Sequence, residues 1–394
     1  MGSRRTPQAS TEVVRLDDSV ALAAYIEGNS RLTPFQVTAV LRCVDLLSAS
    51  LAMLPVRIVE RYSYRQDDTH PLNDLLQFEP NDWQTAFEFF RLMERRRITE
   101  GNAYAYVVRS GDRPIALQPL DPRRVKVTQK PDWTLEYRVS RKGEASQVVP
   151  PRDILHVRDL ADDEVCGNSR LDLAKRAIET ARDAEIAQRN IFNGGSLAKG
   201  MLTLGGELSD PAFARLKKEL AAFDGPGGAG RLMLGEEGMG YVDFGMTGRD
   251  AQTAEARSHQ IEEIARVFGV PRPMLMVDDT SWGSGVAQLA TLYVQFTLAP
   301  ALSVWEQSLR RTLLTPTEKR TLIIDMDERQ LMRGSPKEQA ELYAKAAGAG
   351  GHRPWMHTDE IRRDLKMPMR TDEQKTEMEP SNAQAQPNQS EQDA

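Results

Sequence analysis

Ala39-Val-Leu-Arg-Cys-Val-Asp-Leu-Leu-Ser-Ala-Ser-Leu-Ala-Met-Leu-Pro55 runs straight into Val56-Arg-Ile-Val-Glu60. Within residues 34–55, Val37, Val40, Leu41, Val44, Leu47 and Leu51 recur at three- and four-residue spacing, which predicts an amphipathic helix. Pro55 ends it, and the alternation that follows predicts a strand. Helical and strand periods that alternate along one chain point to an α+β fold.

Working outward, a second helix is expected from about Asp82, with Asn81 or Asp82 accepting the free amide bonds of its first turn. Phe87, Phe90, Met93 and Ile98 supply its apolar face, and Thr99-Glu100-Gly101-Asn102 breaks it. From Ala103 to Leu160 the period is two. Strands are expected at 103–109, 124–128, 135–139 and 154–158, separated by Gly111-Asp112, Pro119 to Pro122, Pro131-Asp132 and Pro150-Pro151.

Residues 171–193 return to helix. Ala174, Ala177, Ala181 and Ala184 form a narrow small-residue stripe, and Lys175, Arg176, Glu179, Arg182, Asp183 and Arg189 crowd the other faces. Residues 199–245 read as a small α/β unit. It has a strand at 200–204, a helix opened by Ser209 or Asp210 and carrying Phe213, Leu216, Leu220 and Phe223, and two short strands near 231–234 and 241–244. A helix over 250–268 follows, then a Gly- and Asp-containing loop at 276–285. A long apolar helix from about Val286 to Leu314 holds Pro300, which should kink it. One late strand is expected at 321–326. Two short helices follow at 335–349 and 358–366, each opened by a hydroxyl residue, Ser335 or Thr358. Residues 1–30 are polar and aperiodic, and 379–394 are nearly free of apolar residues; both are expected to be flexible or disordered.

Composition narrows the function classes. The 394 residues carry 40% hydrophobic and 27% charged side chains, an ordinary globular balance with room for about two or three domains. The net charge of −6 argues against a protein that grips DNA tightly, because such binding needs a basic face. Cys43 and Cys166 are far apart in sequence, so a disulfide framework is not expected. No apolar run reaches the roughly 20 residues that span a bilayer.

Other patterns weaken when tested against chemistry. The five histidines show no i, i+4 pair, so surface or packing roles outweigh a metal site. Gly225 to Gly230 lacks the Gly-Lys-Ser/Thr of a nucleotide loop, and Gly283-Ser-Gly lacks the spacing of a nucleophile elbow. Arg95-Arg-Arg97 and Arg123-Arg124 read more readily as solvated faces than as DNA or capsid contacts.

Seven local patterns, in order, carry a resemblance. They are the opening run 39–55; His70-Pro-Leu-Asn-Asp-Leu-Leu leading to Pro80-Asn; Glu100-Gly-Asn-Ala-Tyr; and Leu117-Gln-Pro-Leu-Asp-Pro-Arg-Arg-Val. Then come Ile154-Leu-His-Val-Arg with Gly167-Asn-Ser-Arg-Leu; Phe192-Asn-Gly-Gly; and Glu263-Ile-Ala-Arg-Val-Phe-Gly-Val-Pro-Arg-Pro-Met-Leu. Together they resemble the portal proteins of tailed double-stranded-DNA phages, a family also used by gene transfer agents.

The resemblance implies an α+β portal fold with a wing, a stem of paired helices, a small α/β clip and a short helical crown. On this chain that places a flexible arm at 1–30, the wing at 31–170 and 286–332, stem helices at 171–195 and 248–270, and the clip at 196–247. The tunnel loop falls at 271–285, the crown at 333–378 and a disordered tail at 379–394. It implies Asp278, Asp279, Thr280, Ser281, Trp282 and Ser284 as a DNA-facing loop, whose acidic and small polar tips would let phosphates slide. Trp282 packs on a neighbour or touches DNA. Ala174, Ala177, Arg182, Ile261 and Phe268 would serve stem and subunit contacts, and Phe213, Lys217, Lys218 and Arg231 docking on the clip. The implied partners are a homo-oligomeric, dodecameric ring, double-stranded DNA in its channel, the terminase large subunit, a head–tail adaptor and the major capsid protein. The setting is the capsid vertex of a virion assembled in the host cytoplasm. No enzymatic activity, cofactor or membrane is implied. Two other readings stand beside this one: a metal-dependent enzyme acting on nucleic acid, with Asp278 and Asp279 as ligands, and a non-viral structural ring or adaptor.

Overall fold

The helix expected from the opening run is α1, Thr38–Ala52, preceded by a 3-10 turn at Pro34–Gln36. Val40, Cys43, Val44, Leu47 and Leu51 line its buried face. Leu41 does not join them: it lies about 100° round the helix from Val40 and is exposed, and Cys43 takes the inward place. This computed structural model describes residues 34–371 apart from 142, 144, 163–164, 195–199, 205–210, 212–214, 216–238, 244–246, 277–283, 329–330, 332–335, 352 and 366. The expected arm at 1–30 and tail at 379–394 lie outside the described residues.

β1 (Val56–Glu60) follows α1, then a short α2 (Leu72–Gln77) and α3 (Ala86–Glu100). The start of α3 differs from expectation. Thr85 is the N-cap, in a capping box with Glu88, because that pair satisfies two orphan amides at once. Asn81 instead sends its side-chain amide to the Leu117 carbonyl at 2.9 Å, tying the preceding turn to the sheet. Phe89 and Phe90 are buried in α3, whereas Phe87 is partly exposed.

Four strands follow the β-rich reading and two more extend it. β2 (Asn102–Ser110) is the centre of an antiparallel sheet, flanked by β3 (Arg113–Leu120) and β7 (Ile154–Arg158). A second antiparallel sheet is β4 (Val125–Gln129), β5 (Leu135–Val139) and β6 (Gln147–Val149). β3 was not visible as a strand because Pro114 and Pro119 interrupt it. It is an edge strand, where a missing amide donor costs no ladder bond. Tyr104, Tyr137, Val139 and Ile154 pack between the two sheets.

After β7 come α4 (Arg170–Leu173) and α5 (Lys175–Gly194), then β8 (Gly200–Leu204) paired antiparallel with β9 (Met239–Asp243), and α6 (Thr247–Phe268). The helix expected after Ser209 or Asp210 and the strand near 231–234 fall outside the described residues. The long apolar helix is α7 (Ser284–Tyr293), a five-residue π-helical segment (Val294–Leu298) and α8 (Ala299–Leu313). Its expected interruption is therefore a π segment just before Pro300, which has no amide to offer the carbonyl one turn back. A short α9 (Glu318–Thr321) leads to β10 (Leu322–Met326), which pairs antiparallel with β1.

Two cores result. One joins the second half of α1 with β1, α2, α3, β2, β7, α8 and β10 around Trp305 and Phe90, whose ring centroids are 5.3 Å apart. The other joins the first half of α1 with α5, α6 and the π segment. Residues Met332–Ala394 form a separate unit with α10 (Pro336–Ala346) and α11 (Thr358–Asp364). Thr358 does not cap α11: His357 does, accepting the Asp359 amide while Glu360 accepts the His357 amide. Ser335 lies outside the described residues.

Candidate functional site

Several segments quoted separately above meet at one place, the root of the α5–α6 helix pair. Gly101 takes a left-handed φ of 75° and ends α3, which lets Asn102 enter β2 directly. The Asn102 side chain donates to the Gly167 carbonyl at 2.9 Å and accepts the Gly167 amide at 2.9 Å, a two-bond clamp across 65 residues. The Asp159 amide donates to the Gly101 carbonyl at 2.9 Å. Ser169 caps α4 through the Asp172 amide and donates its own hydroxyl to the Thr99 carbonyl at 2.7 Å.

Beneath this clamp lies a buried charge network. Arg97 donates from Nε and Nη2 to the two oxygens of Glu94, both at 2.7 Å, and from Nη1 to Asp159 at 2.7 Å. Glu94 also accepts the Trp305 indole N–H at 2.7 Å. Asp159 is held in turn by Arg170, at 2.7 and 3.1 Å. Arg170 reaches the carbonyl of Phe268, the last residue of α6, at 3.2 Å. The side chains of Arg97, Glu94 and Asp159 are 3%, 2% and 5% exposed, so each charge depends on its partners. Burial works against both charges. Arg97 is nevertheless pushed up by Glu94 and Asp159, and Asp159 is held below the usual carboxylate range by Arg97 and Arg170. α3, β7, α4, α6 and α8 are thereby tied through one point.

His156 sits beside the clamp. Its Nε2 faces Asn102 Oδ1 at 3.0 Å, and its Nδ1 faces the Tyr137 hydroxyl at 3.2 Å. Asn102 Oδ1 already accepts one amide, so the network assigns the proton to Nε2 and leaves Nδ1 as acceptor of the tyrosine hydroxyl. Burial, then Arg158 and Arg311, push this histidine down to about 3. The folded chain therefore keeps His156 neutral where the unfolded chain, with a pKa near 6.5, takes up a proton. Below about pH 6.5 the unfolded state binds more protons, so stability falls as pH drops from 6.5 toward 3, by up to about 1.4 kcal/mol per unit. Urea midpoints measured from pH 7 to 4 are expected to fall along this slope. His156→Gln should flatten it, and an unchanged slope in that variant would remove His156 as its source.

The α5–α6 pair hangs from this joint. Ala174, just before α5, and Ile178 and Ala181 of α5 pack with Ile264 and Phe268 of α6, against Val40 and Val44 of α1 and its N-cap Val37. Ala177 and Ile261 are half-buried against the same cluster, and Arg182 is half-buried on α5. Ala174 and Phe268 thus hold the helix pair together inside one protomer. Glu185 and Arg257 stand 4.0 Å apart between the two helices. Asp278, Asp279, Thr280, Ser281 and Trp282 lie outside the described residues, and Ser284 begins α7. Phe213, Lys217, Lys218 and Arg231 also lie outside them.

Of the basic runs, Arg97 is the buried hub, Arg95 stacks on Phe35 at 4.7 Å, and Arg96 donates to the Leu120 carbonyl at 2.9 Å. Arg123 pairs with Glu100 at 2.6 Å. The sequence reading missed Glu94, Arg97, Asp159 and Arg170. The one signal it held was the recurrence of Gly-Asn in Glu100-Gly-Asn and Gly167-Asn, the two segments of the clamp. Among the described residues no group of three or more His, Cys, Asp or Glu could hold a metal ion, and no helix is long and apolar enough to cross a membrane.

Comparison with known proteins accords with this architecture. The family profile described as phage portal protein matches residues 38–365. The portal protein of Enterobacteria phage HK97 is 32% identical over 345 residues, covering 84% of this chain and 79% of its own length. Among solved structures, the neck of a native gene transfer agent particle computed with C12 symmetry superposes with a TM-score of 0.57 at 21% identity, covering 90% of this chain and 95% of the other. An HK97-family portal protein from Corynebacterium diphtheriae superposes at 0.54 with 18% identity, covering 78% and 99%. The mixed helix-and-sheet fold is that of these structures, and the chain belongs to the phage portal protein family.

Proposed function

We propose that copies of this chain close into a dodecameric ring at one capsid vertex, through which double-stranded DNA is packaged and ejected. The observation that carries the reading is membership of the portal family along 38–365, with the α5–α6 pair rooted in a buried ion network at one end. A helix pair of this kind suits a stem, because rigid anchorage fixes the angle between successive copies, and a heterologous contact closes only at the right angle. The wing then corresponds to 31–170 and 286–332, the stem to 171–195 and 248–270, the clip to 196–247, the tunnel loop to 271–285 and the crown to 333–378.

The chemistry is passive. The ring is a virion component of a phage or gene transfer agent, and the terminase large subunit that supplies ATP hydrolysis docks on the clip through Phe213, Lys217, Lys218 and Arg231. A head–tail adaptor later takes that place, and the major capsid protein surrounds the wing. The loop residues from Asp278 to Ser284 face DNA in the channel. Negative-stain electron microscopy with mass photometry tests the reading. Closed rings with a central hole and a mass near twelve chains are the expected result. A stable monomer that cleaves DNA when given a divalent cation would overturn it in favour of an enzyme.

A further inference from the structure

At the C-terminal end of α8, cations converge. Lys319 donates to the Arg311 carbonyl at 2.6 Å, and Arg109 donates to the Thr312 carbonyl at 2.7 Å. Arg310 donates to the Lys319 carbonyl, and Arg311 to the His156 carbonyl at 3.2 Å. The bonds from Lys319 and Arg109 cap the last turn of α8, whose carbonyls attract positive charge, while Arg310 and Arg311 reach carbonyls outside it. Capping explains why cations are here, but it does not use them up. Arg311 keeps Nε and Nη1, and Lys319 keeps two N–H bonds.

The carboxylates nearby are already engaged. Asp153 is paired with Arg109 at 3.1 Å and Asp112 with Arg152 at 3.5 Å, while Glu318 turns to Thr315 and His70. Among the described residues, Arg310, Arg311, Lys319 and Arg320 make no ion pair with an acid. Burial, then Arg310, Arg109 and Arg311, push Lys319 down. Positive potential is therefore uncompensated at this spot, on a chain whose net charge is −6.

We propose that Arg311, Lys319 and Arg320 form a phosphate-binding surface for the backbone of double-stranded DNA, separate from the channel loop. The proposal rests on the ring reading, which brings a duplex to every copy. From Ser284 to Leu313 the helical run has a contour of roughly 45 Å, which sets this patch apart from the start of α7. Arginine suits the task because its planar fork matches phosphate geometry. The arrangement gives each copy a sliding loop at one end of the helix and a gripping surface at the other.

The test is fluorescence anisotropy of a short labelled duplex titrated with the full chain over a range of KCl, with mass photometry on the same samples. Arg311→Gln/Arg320→Gln is expected to weaken binding at least about tenfold near physiological salt and to make the log–log salt slope shallower by about two. Lys319→Gln, which removes the charge, should lower the slope by about one. Lys126→Gln, on exposed β4, should leave both unchanged. Equal affinity and slope in the arginine pair variant, with an unshifted melting temperature, would overturn the proposal. So would displacement of the duplex by polyglutamate at equal charge concentration, which would assign the surface to an acidic protein. Mass photometry reports ring closure separately: rings without duplex binding remove this proposal alone, whereas binding without rings removes the ring reading.

Discussion

Replacing Arg97 by methionine is expected to lower the unfolding free energy by about 3–5 kcal/mol, because it leaves a carboxylate buried without its countercharge. Among the described residues, Glu94 would keep only the Trp305 indole as a donor at its oxygens, and Asp159 would keep Arg170. The side chain that leaves is 3% exposed, so water cannot take its place without opening the junction of α3, β7 and α8. Arg97→Lys should fall between the two, since a lysine carries the charge but not the fork that spans Glu94 and Asp159 together. Urea unfolding of the full chain measures this. Arg124→Met, at a largely exposed side chain paired with Asp121 at 3.6 Å, serves as the control and should cost about 1 kcal/mol or less. A loss for Arg97→Met no greater than the control would mean that the network is open to solvent.

Gly101→Ala is expected to be as damaging, about 3–5 kcal/mol or failure to fold, for a different reason. A Cβ on Gly101 would overlap the Gly167 carbonyl oxygen and stand 2.5 Å from the Asn168 carbonyl carbon. Both obstacles are main chain, so no rotamer change relieves them. Gly167→Ala separates the two parts of the effect. Its Cβ would meet the Gly101 carbonyl and the Asp159 amide, the latter at 2.6 Å, with no left-handed φ involved. Gly111→Ala supplies the complementary control: its φ is 64° and nothing lies within 4 Å of the added carbon. It should cost only the left-handed strain, about 1–2 kcal/mol. Thermal melts of the three variants, ranked Gly101 and Gly167 well below Gly111, are the expected result. A Gly101 loss no greater than that of Gly111, with Gly167→Ala near wild type, would place the effect in backbone strain alone.

How much of this was readable beforehand depended on the range of the interaction. α1, β1, β5 and β7 were legible because burial of one face imposes a period on neighbouring residues. β3 was not, because its prolines are tolerated by its place at the sheet edge, and edge position is a property of the folded sheet. The cap of α3 moved from Asn81 or Asp82 to Thr85 because several residues in a row could cap, and only the box with Glu88 satisfies two amides. Arg97 read as one of three consecutive basic residues. Its partner Asp159 lies 62 positions away, so nothing local marked it as buried. The loop from Asp278 to Trp282 rests on the family resemblance.

β1 and β10 carry one more consequence. Val56 pairs with Met326 and Glu60 with Leu322, and β10 completes the core that holds Ile58, Ile324 and Trp305. During synthesis the ribosome must therefore reach Met326 before this core can close, although α1, α3 and β2 emerge early. A truncated polypeptide that stops short of Leu322 leaves β1 with an unpaired edge and its apolar side uncovered, a state that proteases and chaperones recognise. Translation past Met326 is thus a precondition for closing this core. Late closure thus separates chains that have reached β10 from those that have not.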